Sequence, residues 1–169
     1  HGEPLGEENV KALKENLGWP EPEKTFNIPA EVYAHYQELA KKGEAAEEKW
    51  NKLLDIRGEI TKALETARRE KVIGHSLDAQ VLLYAEGEVY SFLSALEKDL
   101  STLLIVSKVQ VLEKKNLLDD APAYQSEEFS LAVQVTPATG EKCERCWIYS
   151  DTVGACEEHK SLCHRCASV

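Results

Sequence analysis

Gly140-Glu-Lys-Cys143-Glu-Arg145-Cys146-Trp147, answered further on by Leu162-Cys163-His164-Arg165-Cys166, decides how the end of this chain folds. Two Cys-x-x-Cys hooks stand sixteen residues apart, counted between Cys146 and Cys163. Zinc prefers thiolates and takes four ligands in a tetrahedron, and each hook supplies one edge of it. A spacer of roughly 15–20 residues is what a small two-hairpin ribbon needs to bring the second hook back to the first. The spacing points to zinc on Cys143, Cys146, Cys163 and Cys166. A pair of disulfides is the weaker alternative, because nothing else in the chain argues for secretion. A thioredoxin-like redox pair is weaker again, since neither hook sits at a strand-to-helix turn.

Four cysteines leave such an ion no open coordination position, so its expected job is structural. Coordination supplies roughly 10–16 kcal/mol of apparent binding to a ribbon too small to bury its own core. Cys156, His159 and His164 are spare donors in the same stretch. With the tetrahedron already filled, they read as ribbon surface.

Working outward, 169 residues with 43% hydrophobic side chains support one or two small domains with a modest core. No run approaches the roughly 18 apolar residues of a membrane span, and no signal peptide opens the chain. No membrane partner is expected, and free cysteines with a zinc site favour the reducing cytoplasm. The chain contains no Met and begins His-Gly, which reads as a fragment or a processed piece. A net charge of −10 counts against a general nucleic-acid binder, and no DNA partner is expected. The charge is uneven, however. Residues 1–48 hold 5 basic and 11 acidic side chains, a balance of −6, and residues 49–169 hold 15 and 19, a balance of −4. The C-terminal part is mild enough to carry a locally basic face towards RNA.

From the N-terminus, Gly2, Pro4 and Gly6 break regular structure, and Val10, Leu13 and Leu17 space at helical intervals with Gly18 as the stop. Trp19-Pro-Glu-Pro22 is a connector. Pro29 opens a second helix with Val32, Tyr33, Tyr36 and Leu39 on one face, and Gly43 is expected to end it. Residues 45–71 give the clearest helix, with Trp50, Leu53, Leu54, Ile56, Ile60, Leu64 and Ala67 in an apolar stripe. Lys49, Lys52, Arg57, Lys62, Arg68, Arg69 and Lys71 cover the rest. Such charges usually form a solvated surface, although a face this cationic can also meet phosphates. Gly74 is the expected break.

Ala79-Gln-Val-Leu-Leu-Tyr-Ala85 is a continuous apolar run that suits a buried strand. A helix carrying Val89, Phe92, Leu93, Leu96 and Leu100 follows, then a strand over 105–112. This β-α-β order predicts two sheet-sharing strands with a helix across them. A polar loop over 113–128 precedes a third strand over 129–135. The fold class is therefore α+β: N-terminal helices, a long helix, a small β-α-β-β unit and a C-terminal four-cysteine zinc ribbon. No phosphate-binding glycine loop and no Ser/His/Asp arrangement appear.

The first 50 residues resemble a segment of transketolase, through His1-Gly-Glu-Pro-Leu-Gly6, Leu17-Gly-Trp-Pro20, Phe26-x-Ile-Pro29-x-Glu-Val-Tyr33 and Trp50-Asn51. That resemblance implies a place for His1 at a thiamine-diphosphate and sugar-phosphate site. The family's glycine–aspartate cofactor motif and other active-site histidines are absent, so no thiamine site is expected and His1 reads as a terminal residue.

From Trp50 onward a different family is resembled. Trp50-x3-Leu54-x2-Arg57-Gly-Glu-Ile60, Ala63-Leu-Glu-x-Ala67-Arg68, Lys71-x-Ile-Gly74-x-Ser76-Leu77, Leu83-Tyr84-Ala85 and the cysteine hooks look like the C-terminal tail of a bacterial isoleucyl-tRNA synthetase. The resemblance runs over residues 48–169. It implies that 48–74 close an anticodon-binding domain, that 75–139 form a junction unit, and that 140–169 form a zinc ribbon on the tRNA(Ile) anticodon stem-loop. Residues 1–47 stand apart as the transketolase-like segment, so the chain reads as a fusion with its junction inside residues 45–54. The synthetase signature motifs and editing domain are absent from this stretch. No autonomous catalysis is expected, and the natural partner body would be the parent synthetase. The resemblance further implies RNA contact by Arg145, Trp147 and Arg165, with Arg68 and Arg69 as further cations. Trp147 has a competing reading as a hydrophobic lid over the thiolates. A ribbon of the DNA-glycosylase type uses similar cysteines but fits the Lys-Cys-Glu-Arg-Cys-Trp order less well.

Overall fold

Ala79-Gln-Val-Leu-Leu-Tyr-Ala85 forms an inner strand, β1 (Ala79–Ala85), of a four-stranded sheet. The structure is a computed structural model and describes residues 2–26, 28–118 and 122–169. From β1 the chain turns into α3 (Gly87–Leu104) and returns as β2 (Lys108–Glu113), parallel to β1 with Leu83 beside Val111. The other side of β1 pairs antiparallel with β4 (Leu131–Pro137), which carries the short β3 (Tyr124–Gln125) on its far edge. The strand order is β2-β1-β4-β3. Paired along both edges, β1 has its backbone groups satisfied, and Ala79, Val81, Leu83 and Ala85, which share one face, are wholly buried in the core with α2 and α3 residues. The expected β-α-β unit is thus present.

Two helices precede this unit, α1 (Glu7–Asn16) and α2 (Ala30–Arg69). The chain divides into two units, His1–Trp50 and Asn51–Val169, and α2 crosses the boundary. In the second unit Leu53, Ile56, Ile60, Ala63, Leu64 and Ala67 recur at three- and four-residue steps and join one core with Leu93, Leu100 and Leu104 of α3 and the sheet residues. In the first unit no residue of α1 is buried. There Gly18, at φ +64, closes α1: its N–H bonds the Glu15 carbonyl at 3.0 Å and Trp19 N–H bonds the Lys14 carbonyl at 2.8 Å. His1 lies outside the described residues.

Four local expectations change. Gly43 does not end a helix, because α2 runs through it. One helical glycine costs about 1 kcal/mol against alanine, and its flanks (Glu38-Leu-Ala-Lys-Lys and Glu44-Ala-Ala-Glu-Glu) are strong helix formers. Nor is Gly74 the break after α2. Lys71 takes the left-handed turn at φ +60, with Lys71 N–H on the Arg68 carbonyl and Val72 N–H on that of Ala67. Residues 105–107 do not join β2, because Ile105, at φ +57, caps α3 in the same way and Val106 is buried behind it. The polar loop over 113–128 contains β3, a strand two residues long and too short to leave an alternating pattern.

Two carboxylates shape the sheet edges. Glu59 of α2, the only buried charged residue among the described residues at 2% exposed, receives a hydrogen bond from Lys62 Nζ and one from Tyr124 Oη at 3.1 Å. The bond from Lys62, then those from Ser126 and Tyr124, hold the Glu59 carboxyl below its usual range although burial opposes them. Burial and the same carboxylate push the Tyr124 hydroxyl up. Glu97 of α3 accepts the Val111 N–H at 2.9 Å on β2, an outer strand of the sheet.

Candidate metal centre

The first hook is the loop of a hairpin. β5 (Glu141–Lys142) and β6 (Tyr149–Ser150) pair antiparallel, and Cys143 N–H extends the ladder to the Ile148 carbonyl at 2.9 Å. The chain then doubles back through Trp147, whose N–H bonds the Cys143 carbonyl at 2.8 Å and whose φ is +65. This fold-back brings Cys146 beside Cys143. The second hook opens a single helical turn, α4 (His164–Ala167), where Cys166 and Ala167 N–H groups both bond the Cys163 carbonyl. The hooks are tied to each other by Glu144 N–H on the Ser161 carbonyl at 3.1 Å and by Cys163 N–H on the Cys143 sulfur at 3.4 Å.

The result is one cluster. The Sγ atoms of Cys143, Cys146, Cys163 and Cys166 all lie within 4.8 Å of one another, and those of Cys146 and Cys163 are 3.7 Å apart. A tetrahedron with zinc–sulfur bonds of about 2.3 Å has sulfur–sulfur edges of about 3.8 Å, which the Cys146–Cys163 pair already matches and the rest of the set approaches. No disulfide links them; all five cysteines of the chain are free thiols. Cys143, Cys163 and Cys166 are buried and Cys146 is partly exposed. Ile148, Val153 and Leu162 pack against the sulfurs and supply a small apolar wrap. Cys156, His159 and His164 stand outside the cluster.

The thiols of Cys143 and Cys166 differ before a metal arrives. Burial would raise the Cys143 thiol, but N–H groups of Cys146, Cys163 and Arg145 bring it down from 9.0 to about 6. Burial, with hydrogen bonds among the neighbouring sulfurs, pushes Cys166 up to about 12. The Cys143 thiolate is therefore favoured at neutral pH, and a divalent cation would draw the proton off Cys166.

The other expected site residues are dispersed. Trp147 is 60% exposed, lies outside the wrap around the sulfurs, and donates its indole N–H to the Glu144 carbonyl at 3.2 Å. Arg145 is exposed and spends one N–H on the Cys166 carbonyl at 2.9 Å. Arg165 is exposed, and the nearby Cys146 sulfur raises its pKa above the usual value. Arg68 is committed to Glu65 and to the Ser76 hydroxyl at 3.0 Å, while Arg69 lines a shallow surface on α2 with Thr61, Lys62 and Glu65.

Sequence reading missed the docking of the ribbon. Ser107, just before β2, accepts Tyr149 N–H at 2.7 Å and donates to the Leu77 carbonyl. Lys108 bonds the Thr139 hydroxyl at 2.7 Å and the Asp151 carboxylate at 2.6 Å. These partners stand 30 to 43 residues away, and no local pattern marks them. The wrap residues Ile148, Val153 and Leu162 could have been found as isolated apolar positions in a polar stretch.

Known families match both ends of the chain. The profile of the zinc finger found in FPG and IleRS matches residues 140–169, and that of the transketolase thiamine diphosphate binding domain matches residues 1–74. The chain is 56% identical over 121 residues to an isoleucine–tRNA ligase of Caldanaerobacter subterraneus subsp. tengcongensis, which takes in 72% of the chain and 13% of that protein. An isoleucine–tRNA ligase of Thermoanaerobacter pseudethanolicus is 45% identical over 150 residues, 89% of the chain and 14% of the relative. One from Desulforamulus reducens is 50% identical over 125 residues, 73% and 13%. The resemblances to both families hold, and the four-cysteine cluster forms the zinc-ribbon-like site of the first profile. The chain spans about one seventh of the length of these curated relatives. An alignment of 150 residues also reaches into the first 50, so the two families overlap along α2.

Proposed function

We propose that the chain is a tRNA-binding module of an isoleucine–tRNA ligase, with zinc on Cys143, Cys146, Cys163 and Cys166 and the ribbon against the anticodon stem-loop of tRNA(Ile). The observation that carries this reading is the similarity to isoleucine–tRNA ligases over 72–89% of the chain, joined to a tail that matches a zinc-finger profile. The ion folds the ribbon and does no chemistry. The reaction of the relatives would belong to a parent synthetase body with which residues 48–74 and 75–139 connect the ribbon, in the cytoplasm. Among the described residues no helix is long and apolar enough to cross a membrane.

Trp147 is the residue best placed to meet RNA, because its exposed indole can stack on an unpaired base. Arg145 retains further N–H groups beyond the one on Cys166, and Arg165, Arg68 and Arg69 would add phosphate contacts. Residues 140–169 hold 4 basic and 5 acidic side chains, so stacking must contribute more than bulk charge.

The test is filter binding of tRNA(Ile) to the 169-residue chain at two salt concentrations. A module binds with affinity falling as salt rises, and Trp147→Ala weakens it by about 1–3 kcal/mol with zinc content unchanged. The second reading is an inert fusion whose ribbon merely folds, favoured by the transketolase profile over residues 1–74 and the net charge of −10. It requires binding no stronger than an unrelated acidic protein shows.

A further inference from the structure

The ribbon leaves the sheet unit by one stretch of chain, residues 138–140, between β4 and β5. A single connection is a swivel unless a second tie removes the rotation. The buried apolar clusters do not supply that tie, since among the described residues the sulfur cluster and the main core share no buried side chain. The tie is polar, and it reaches the opposite arm of the hairpin. Ser107 Oγ accepts Tyr149 N–H of β6 at 2.7 Å and donates to the Leu77 carbonyl. Lys108 Nζ reaches both arms, to Thr139 Oγ1 before β5 at 2.7 Å and to Asp151 Oδ2 just past β6 at 2.6 Å. Ala138 N–H completes the set on the Asp78 carbonyl at 2.7 Å.

These bonds set direction more than they add strength. A serine hydroxyl has one proton and two lone pairs, and at Ser107 the proton and one lone pair are both engaged, so the oxygen is fixed from two sides. Ser107 is half-buried, and a Tyr149 N–H deprived of it has little water to turn to. The Lys108–Asp151 pair is more open, with Asp151 70% exposed, and contributes alignment rather than much stability. Trp147 stands two residues before Tyr149 on the same fold-back. Whatever holds the Tyr149 backbone therefore also sets the direction in which the exposed indole points.

We propose that Ser107 and Lys108 latch the ribbon to the sheet unit and thereby hold Trp147 in one direction towards RNA. Both are positioning residues that act through Tyr149 and its hairpin. The effect on RNA rests on the tRNA-binding reading above, whereas the latch itself does not. A ribbon free to swivel presents the indole correctly for only part of the time, and its apparent affinity falls by that fraction. One net hydrogen bond changes a population by a factor of about 2–12, which puts the expected loss of affinity at about three- to tenfold.

The test compares the zinc-loaded 169-residue chain with its Ser107→Ala/Lys108→Met variant by NMR amide relaxation, without RNA. In the wild type β1, β5 and β6 are expected to tumble with one correlation time. In the variant the β5 and β6 amides tumble faster than those of β1, with zinc content unchanged. Ser107→Thr, which keeps the hydroxyl, retains the common time. Lys108→Met alone gives a smaller effect and decides the matter where the double variant does not fold. Filter binding of tRNA(Ile) is expected to weaken about three- to tenfold in the double variant. Added to Trp147→Ala, the same two substitutions weaken it no further, because they act through the indole. A ribbon and sheet that still tumble together in the variant overturn the latch. So does loss of zinc, which would make these bonds part of the ribbon's own fold. A freed ribbon that binds tRNA(Ile) as tightly as the wild type overturns the positioning role. The relaxation readout involves no RNA, so it decides the latch even where the chain fails to bind tRNA.

Discussion

Gly140 packs so closely on Ser150 that a methyl group placed on it would lie 2.6 Å from the Ser150 carbonyl carbon and 2.8 Å from its oxygen. Its φ of +95 is also a region that residues with a Cβ rarely adopt. Gly140 is where the chain leaves the β-sheet unit and enters the ribbon hairpin, so backbone meets backbone with no side chain able to yield. Gly140→Ala is expected to destabilise the ribbon by about 2–4 kcal/mol, from steric strain and backbone strain together. Zinc titration of the purified variant checks this: its affinity falls, while the helical signal of the rest of the chain stays.

Ile105 offers the opposite opportunity. It caps α3 in the left-handed conformation although its side chain is β-branched, and it is exposed, so little packing is lost on truncation. Ile105→Gly is expected to stabilise by about 0.5–1 kcal/mol, the relief of backbone strain being partly offset by the greater freedom of glycine when unfolded. A thermal melt reads this as a rise of about 2–4 °C. A lower melting temperature would mean that the strain is relieved elsewhere.

Glu59 sets a pH dependence. Its folded pKa lies below the ordinary 4.5, so the folded state binds fewer protons than the unfolded state in the window beneath that value. The stability it contributes is fully present above the unfolded pKa and is lost as pH falls through the folded one. Urea midpoints of the wild type are expected to drop between pH 6 and about pH 3.5, and those of Glu59→Gln to drop less. The same variant is expected to cost about 1–3 kcal/mol at pH 7, because the amide keeps one acceptor oxygen but puts an NH2 in place of the other and removes the charge facing Lys62.

The sulfur cluster and the main core are separate apolar clusters, and this separates their fates. Stripping zinc with a chelator is expected to unfold residues 140–169 while α2, α3 and the sheet persist, since the ribbon's apolar wrap is only Ile148, Val153, Leu162 and the cysteines themselves. Hydrogen exchange after chelation checks it: protection disappears in the tail and remains in β1. Exchange that rises equally in β1 would show one cooperative fold.

What was legible in the sequence was whatever lies in a short window. The Ala79–Ala85 run is apolar because β1 lies in the core, and the two hooks carry their ligand spacing openly. The helix stripe from Leu53 to Ala67 is equally local. What stayed hidden depends on meetings across the fold. Lys71 and Ile105 turn left-handed because Ile73 and Val106 must be buried next, a demand that overrides the preference for glycine. The pairing of Glu59 with Tyr124 spans 65 residues, and that of Ser107 with Tyr149 spans 42. A serine before a strand and a glutamate in a helix are too common to announce such partners. Arg145 shows the same limit, since the family resemblance pointed it to RNA and its geometry adds a bond to the Cys166 carbonyl.

The bond from Val111 N–H to Glu97 concerns how copies of this chain behave towards one another in a crowded solution. An outer strand normally offers its free amide groups to any passing extended segment, and such pairing is the seed of precipitation. Here a neighbouring helix has laid an anionic stopper across the middle of that row. The acidity that counts against indiscriminate nucleic-acid binding thus also keeps the rim of the sheet from recruiting strangers.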